Sequence, residues 1–277
     1  MIYTVTLNPA IDLVIITKEL KAGVVNRTES FELQPNGKGV NVSFILQKLG
    51  ISNIATGIGG GFTLDYVKEG LEKQGIPTKF LKVDQATRVN VFTRVLSEGK
   101  EYKEVNPGPI ICEKVQIDFL KMLSRELQEN DLLIVSGSFG TGIEHSYLVR
   151  IAELCQKKKV KLVIDSSYPE VLDTLPYHPF LLKPNDEELA GYFGELTPID
   201  DKTVINLARK LIKQGCQYVL VSLGERGGAL ISKDKAYFGN APKIQVLNTV
   251  GAGDTMLGTF IGKYLTDGQV KKVDCCW

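Results

Sequence analysis

Between Asp131 and Gly224 the chain keeps one alternation, and this alternation limits its fold more than any other feature. Short, uninterrupted apolar runs take turns with stretches whose apolar residues recur at helical spacing. The strand-like runs are "DLLIVSG" (Asp131–Gly137), "VKLVID" (Val160–Asp165), "FLLKPN" (Phe180–Asn185) and "QYVLVSLG" (Gln217–Gly224). The helical stretches among them include "EHSYLVRIAELCQKKK" and "DKTVINLARKLIKQG", the second ending at Gly215. A strand that is apolar along its whole length has no solvent face, so both its sides must be covered. Such strands separated by helices predict a three-layer α/β/α fold around a mostly parallel central sheet. With 277 residues, 43% of them hydrophobic, the chain can bury one sizeable core, and residues 1–277 read as a single domain.

Two segments break the pattern. "TESFELQP" (Thr28–Pro35) and "TRVNVFTRVLSEGKEYKEVN" (Thr87–Asn106) alternate with period two, and the second carries a turn signal at Ser97–Lys100. They predict a small antiparallel sheet over one edge of the main body, with strands within residues 13–35 and 87–106. Such a sheet can close over a ligand as a lid or pair with a second copy of the chain, and the sequence permits both.

Composition removes several function classes. Charged residues make up 23% of the chain and the net charge is +1, with no basic stripe or acidic tail to suit a nucleic-acid partner. Lys157, Lys158 and Lys159 fall at a helix end and read as solvated. The 5 cysteines form no paired C-x-x-C motifs, which predicts a reducing compartment and argues against structural zinc. The 2 histidines, His145 and His178, lack ligand spacing and read as surface or loop residues. The opening "MIYTVTLNP" is strand-like rather than a leader, and no apolar run approaches the roughly 20 residues needed to cross a bilayer. The expectation is a cytoplasmic protein without a membrane partner.

The stretches that carry chemistry are less conventional. No G-x-x-x-x-G-K-[ST] phosphate loop is present. "GIGGGF" (Gly57–Phe62) fails the G-x-G-x-x-G spacing and reads as lacking the strand–turn–helix unit of a dinucleotide site. In "NTVGAGDTMLGTFIGKYL", Met256, Leu257, Phe260, Ile261, Tyr264 and Leu265 predict an amphipathic helix, and Gly251, Ala252 and Gly253 sit where it begins. Free N–H groups and the helix dipole favour an anion at such a start. Asp254 beside them is either an ordinary first-turn acid or a base. As a base it would take a proton from an attacking hydroxyl while the amides stabilise a transferring phosphoryl group. "PNGKGVNVSFILQKLG" (Pro35–Gly50) leads a Gly-Lys-Gly turn into a second amphipathic helix. Lys38 there is a point charge for an anionic substrate or a plain turn lysine. "TLNPAIDL" (Thr6–Leu13) is read as ending a strand with Asp12, where a polyol could sit. "TRVN" (Thr87–Asn90) puts Arg88 on the predicted lid, and "KPNDEEL" (Lys183–Leu189) puts Asn185 and Glu188 on one face of a starting helix. Each also has a surface or helix-cap reading. "SLGERGG" (Ser222–Gly228) is a glycine turn that admits a nucleotide or simply reverses a hairpin.

Taken together and in this order, "LNPAID", "GKGVN", "TRVNV", "GSFG", "KPNDEE", "SLGERGG" and "TVGAGDT" resemble the ribokinase-like (PfkB) carbohydrate kinases over nearly the whole chain. "NPAID", "NRTE", "TRVNV" and "VNPGPI" are similar to the branch acting on sugar phosphates, which includes 1-phosphofructokinase and tagatose-6-phosphate kinase. The resemblance implies a ribokinase-like fold and transfer from ATP, with Mg²⁺, to a ketohexose phosphate. Fructose 1-phosphate is the first choice and tagatose 6-phosphate the alternative. It implies Asp254 as base and Gly251, Ala252 and Gly253 as the anion hole. Asp12 would hold sugar hydroxyls with Gly39 and Asn41 beside it. Lys38 and Arg88 would clamp the substrate phosphate, with Arg27, Asn90 and Ser138. Lys183, Asn185, Ser222, Gly224 and Gly227 would face the nucleotide, and Glu188 would act on Mg²⁺ through water. Asn36 stands where the family usually has glycine. Asparagine accepts left-handed backbone angles better than most residues, so the turn is expected to be kept. The family also continues with further helices, whereas this chain ends at "YLTDGQVKKVDCCW" (Tyr264–Trp277) and reads as shortened. That leaves open a sugar-phosphate or nucleotide-binding protein without turnover.

Overall fold

The computed structural model of the chain describes residues 1–241 and 251–267. In chain order the strands are β1 (Ile2–Thr6), β2 (Ala10–Thr17), β3 (Ser30–Asn36), β4 (Ile54–Gly60), β5 (Thr78–Val83), β6 (Arg88–Val95), β7 (Lys100–Glu104), β8 (Leu132–Ser136), β9 (Lys161–Asp165), β10 (Leu181–Leu182), β11 (Tyr218–Ser222), β12 (Gly228–Ile231) and β13 (Ala236–Gly239). The helices are α1 (Lys38–Lys48), α2 (Gly61–Lys73), α3 (Glu113–Glu126), α4 (Tyr147–Lys158), α5 (Asp186–Gly191), α6 (Asp201–Gln214) and α7 (Ala252–Asp267).

Among the described residues, one sheet of nine strands runs in the order β13-β12-β11-β10-β9-β8-β1-β4-β5. From β11 to β5 every pairing is parallel, and β12 and β13 add an antiparallel edge. The fully buried strands β1 and β8 account for the continuous apolar runs, because helices cover both faces. On one face α1 and α7 bury Val42, Leu46, Met256, Leu257, Phe260 and Ile261 against the sheet. On the other, α3, α4 and α6 bury Phe119, Leu123, Leu148, Ile151, Leu207 and Leu211. The helix ends follow local chemistry. Asp200 caps α6 by accepting from the Thr203 N–H at 2.8 Å, and the helix stops at Gly215.

A second sheet of four strands, ordered β3-β2-β6-β7, stands beside the first. Its β2–β3 and β6–β7 pairs are antiparallel, and the central β2–β6 pair is parallel. The predicted hairpin at Thr87–Asn106 is β6–β7, turning through residues 96–99.

Four local expectations need correction. β4 ends at Gly60 and α2 begins at Gly61, so "GIGGGF" is a direct strand-to-helix joint. Its glycines serve close packing: a Cβ on Gly60 would lie 1.9 Å from the Val83 carbonyl oxygen. "FLLKPN" contributes only Leu181–Leu182 as strand, because its remaining residues turn into α5. Asp12 lies inside β2 rather than at a strand end. Asn36 is an ordinary strand residue; the positive φ of +134° falls on Gly37, where a Cβ would also strike the Thr6 side chain at 2.6 Å.

Candidate active site

The chain leaves β1 toward β4 and β5, then returns to β8 on the other side of β1 and works outward through β9, β10 and β11. Such a reversal opens a crevice at the carboxyl ends of the strands. Asn8 follows β1, Ser138 follows β8, Asp165 ends β9, Lys183 follows β10 and Ser222 ends β11. Strand topology thus brings these residues to one edge.

Asp254 reaches this edge on the first turn of α7. Helices α1 and α7 approach closely because Gly258 and Gly262 face Ile45 and Leu49; a Cβ on Gly258 would sit 2.6 Å from the Ile45 side chain. The seam presses Asp254 against α1, where Asn41 Nδ2 donates to Asp254 Oδ2 at 2.8 Å. Asp254 is only 5% exposed. Burial raises its pKa, and the Asp165 charge adds to this, against the Asn41 hydrogen bond and the Lys38 and Lys183 charges. Gly251, just before the helix, takes φ +82° with open space where a Cβ would stand. The requirement there is conformational, and it leaves the start of α7 uncovered.

Two lysines flank this carboxylate. Lys38 Nζ and Lys183 Nζ both meet Asp165 Oδ1, at 3.3 and 3.2 Å. The Lys183 ammonium lies 3.2 Å from where a Gly253 Cβ would be, so glycine there admits the cation to the helix start. For Lys38, burial works against the charge, but Asp165, Asp254 and Glu188 outweigh it and the pKa is raised. Asp165 is 1% exposed, and its Oδ2 has no hydrogen-bond partner among the described residues. The sequence reading passed over it, although an acid closing a buried parallel strand lies where such sheets bind ligands.

The small sheet supplies the opposite wall. Asp12 is buried, with Asn90 Nδ2 donating to its Oδ1 at 2.8 Å and Asn36 Nδ2 donating to its Oδ2. Arg88 donates to the main-chain oxygens of Asn8 at 3.2 Å and Asn106 at 3.5 Å. Its Nε is buried without a partner, and burial lowers its pKa. Asn8 also donates to Ser138 Oγ at 3.3 Å, which joins Ser138 to the arginine's surroundings. Asn8, like Asp165, went unnoticed in the sequence. A cleft of about 400 Å³ lies between the end of β3, α1 and the start of α7, lined by Gln34, Asn36, Asn41, Gly251, Ala252 and Asp254.

The remaining predicted residues divide. Asn185 and Glu188 form a capping box on α5: Asn185 Oδ1 accepts from the Glu188 N–H at 2.6 Å, and Glu188 Oε2 from the Asn185 N–H at 2.9 Å. Asn185 also bridges to Ser222. Gly224 and Gly227 lie in the short 3₁₀ connection that joins β11 to β12, so this turn does reverse a hairpin. Gly39 is buried where a Cβ would strike Thr6 Oγ1 at 2.5 Å, so its missing side chain serves the packing of α1 on β1. Arg27 lies in the exposed connection between β2 and β3. Lys38 joins the Asp165 side rather than Arg88. Residues 242–250, with the Thr249 and Val250 of "TVGAGDT", lie outside the described residues, as do 268–277.

Among the described residues no helix is long and apolar enough to cross a membrane. No group of three or more His, Cys, Asp or Glu residues among them could hold a metal alone.

Comparison with known proteins gives concordant matches. Residues 4–274 match the model described as pfkB family carbohydrate kinase. A D-tagatose-1-phosphate kinase from Bacillus licheniformis is 38% identical over 263 residues, 95% of this chain and 85% of that protein. A 1-phosphofructokinase from Bacillus subtilis is 35% identical over 262 residues, 94% of this chain and 84% of that protein. The fold superposes on the crystal structure of Escherichia coli phosphofructokinase-2 in complex with substrates and products. The TM-score is 0.88 at 28% identity, covering 98% of this chain and 88% of that one.

Proposed function

The chain belongs to the pfkB family of carbohydrate kinases and is a phosphotransferase with an alcohol acceptor, and on that premise we propose that it phosphorylates a ketohexose phosphate, with fructose 1-phosphate to fructose 1,6-bisphosphate as the first choice. The observation that carries this reading is the half-buried Arg88, which meets no carboxylate within salt-bridge distance among the described residues and keeps an unpartnered Nε. A half-buried guanidinium that no carboxylate contacts directly suits an anionic substrate group, because it is partly desolvated, with Asp12 acting on it only at longer range, and presents a planar fork of donors. The two Bacillus kinases compared above carry a ketohexose 1-phosphate in their names. Tagatose 1-phosphate therefore joins tagatose 6-phosphate as an alternative acceptor.

In this reading Arg88 holds the substrate phosphate, with Asn8 and Ser138 beside it. Asp12, oriented by Asn36 and Asn90, holds sugar hydroxyls. Asp254 accepts the proton of the attacking hydroxyl, and its raised pKa moves it toward the working pH of a general base. The amides of Ala252 and Gly253 at the start of α7 stabilise charge on the transferring phosphoryl group. Lys183 and Lys38 neutralise phosphate oxygens of ATP, and Asn185, Ser222, Gly224 and Gly227 border the nucleotide. The available oxygens fit Mg²⁺. Asp165 has a buried oxygen without a partner, Glu188 keeps one oxygen outside its capping box, and both carboxylates act on Lys38. These two residues would hold the ion, which supplies charge neutralisation on the phosphates. The small sheet is the lid, which excludes water from the transfer. Its Phe31 is 69% exposed, and we read its apolar surface as a contact with a second copy of the chain. A cytoplasmic setting accords with these substrates.

The test is an ADP-release assay with fructose 1-phosphate, tagatose 1-phosphate, tagatose 6-phosphate and free fructose. Turnover of the sugar phosphates well above that of fructose supports the reading. Turnover of free sugars alone overturns it, and binding without turnover indicates a non-catalytic protein.

A further inference from the structure

One unbroken run of side-chain hydrogen bonds crosses the cleft, and Asn36 is its middle link. Asn90 Nδ2, on β6, donates to Asp12 Oδ1 at 2.8 Å. Asn36 Nδ2, at the end of β3, donates to Asp12 Oδ2. Asn41 Nδ2, on α1, donates to Asn36 Oδ1 at 3.0 Å and to Asp254 Oδ2 at 2.8 Å. The strand register makes this reach possible. Asn36 pairs with Ala10, so it stands on the same face as Asp12, one step along the diagonal.

Each orientation in the run fixes the next. Asp12 accepts on both oxygens, so Asn36 and Asn90 must both turn their nitrogens toward it. That leaves Asn36 Oδ1 to accept, which it does from the Gly37 N–H and from Asn41. Asn41 must then present its nitrogen, and the second hydrogen of that nitrogen goes to Asp254. A glycine at residue 36 would leave Asn41 held only by Asp254, without the second hydrogen bond that fixes its amide from the lid side.

We propose that Asn36 is a positioning residue for phosphoryl transfer: it ties the lid carboxylate Asp12 to the base Asp254 through Asn41, so that the placement of strand β3 sets the orientation of the base. This rests on the reading of Asp254 as base and Asp12 as sugar ligand. It adds a residue that acts on the base from the lid without itself taking a proton. Buried polar runs of this kind are sensitive to loss of one member, because the remaining groups lose both partner and orientation.

The test is a double-mutant cycle in kcat, with KM measured alongside, on Asn36→Gly, Asn41→Ala and the double variant, using ATP and fructose 1-phosphate. Asn36→Gly is expected to lower kcat about tenfold, the scale of one hydrogen bond in a charged network, with a smaller change in KM. In the Asn41→Ala background the same substitution is expected to change kcat by less than about twofold, because the path to the base is already cut. Full kcat in Asn36→Gly, or effects that multiply in the double variant, would overturn the proposal. Asn36→Ser serves as the second variant if the glycine change unfolds β3, since a hydroxyl is too short to serve both Asp12 and Asn41. The cycle is repeated on ATP hydrolysis without sugar, which uses the same base. Coupling there with no turnover of fructose 1-phosphate would remove the assigned substrate while leaving the role of Asn36 in place. Absence of coupling in both assays removes that role.

Discussion

At the carboxyl edge of the large sheet the charged groups already pair with one another, whereas on the small sheet Arg88 forms no ion pair among the described residues and feels Asp12 only at longer range. Lys38 and Lys183 share Asp165, and Asp254 is held by Asn41. Among the described residues Arg88 hydrogen-bonds main-chain oxygens alone. The settings differ as well. Asp254 rides on a helix whose Met256, Leu257, Phe260 and Ile261 are buried in the core, while β3 is exposed from Ser30 to Gln34. Groups fixed in advance by a packed core suit charge that develops during transfer, since they need not reorganise. A half-buried cation awaiting a partner on an outer sheet suits recognition of a charge the substrate already carries. In the proposed function the two charged groups divide the work, Asp254 at the edge of the large sheet acting on rate and Arg88 on the small sheet on affinity. Asn36 is the link through which the small sheet also reaches the base.

Substitutions can break that division. The largest effect is expected from Asp254→Asn, which keeps the shape and removes the proposed base. Its kcat should fall by about 10² to 10⁴-fold with little change in KM, read by steady-state kinetics. Next is Arg88→Ala. Losing hydrogen bonds between charged partners should raise KM for the sugar phosphate by about 10 to 100-fold and leave kcat much closer to wild type. A larger fall in kcat than rise in KM would place Arg88 on the rate side. Gly258→Ala tests whether the α1–α7 seam holds the base. The added methyl would meet Ile45 at 2.6 Å, costing roughly 1–3 kcal/mol of stability. Thermal unfolding should begin several degrees lower and kcat should drop, whereas an unchanged melt would mean that the seam has room. The smallest effect is in pH dependence. The base works only when ionised, so kcat should fall as pH drops through its raised pKa. The Asn41 hydrogen bond lowers that pKa, so Asn41→Ala should move the acid limb of the kcat profile to higher pH. A limb moving to lower pH would mean that Asn41 does not stabilise the carboxylate.

How much of this was legible in the sequence follows the same division. The buried parallel strands and the α1, α4, α6 and α7 helices were readable because their periodicity is local. So was the β6–β7 hairpin, whose turn signal lies between its strands. Of the site residues singled out, Asp254 lines the cleft and Asp12 connects to it through Asn36 and Asn41, while Lys38 sits with Asp165 rather than with Arg88. What stayed hidden depends on contacts between distant residues. Asn41 and Asp254 are 213 positions apart, and no local pattern pairs them. Asp165 looks like any acid after an apolar run until strand order shows β9 next to β8 at the reversal. "GIGGGF" was judged by its glycine spacing for a nucleotide, while its glycines answer to the backbone of neighbouring segments. Asn36 draws the eye for its backbone freedom, whereas its side chain is what bonds Asp12 and Asn41.

The most direct test sets the two regions side by side. Turnover with fructose 1-phosphate and the calorimetric Kd for the same sugar phosphate are measured for Asp254→Asn and Arg88→Ala in parallel. The predicted result is opposite signatures: Asp254→Asn binds the sugar phosphate with near wild-type affinity but scarcely turns over, and Arg88→Ala binds weakly but turns over when saturated. Wild-type turnover in Asp254→Asn, or wild-type affinity in Arg88→Ala, would contradict the division of work between the core edge and the lid.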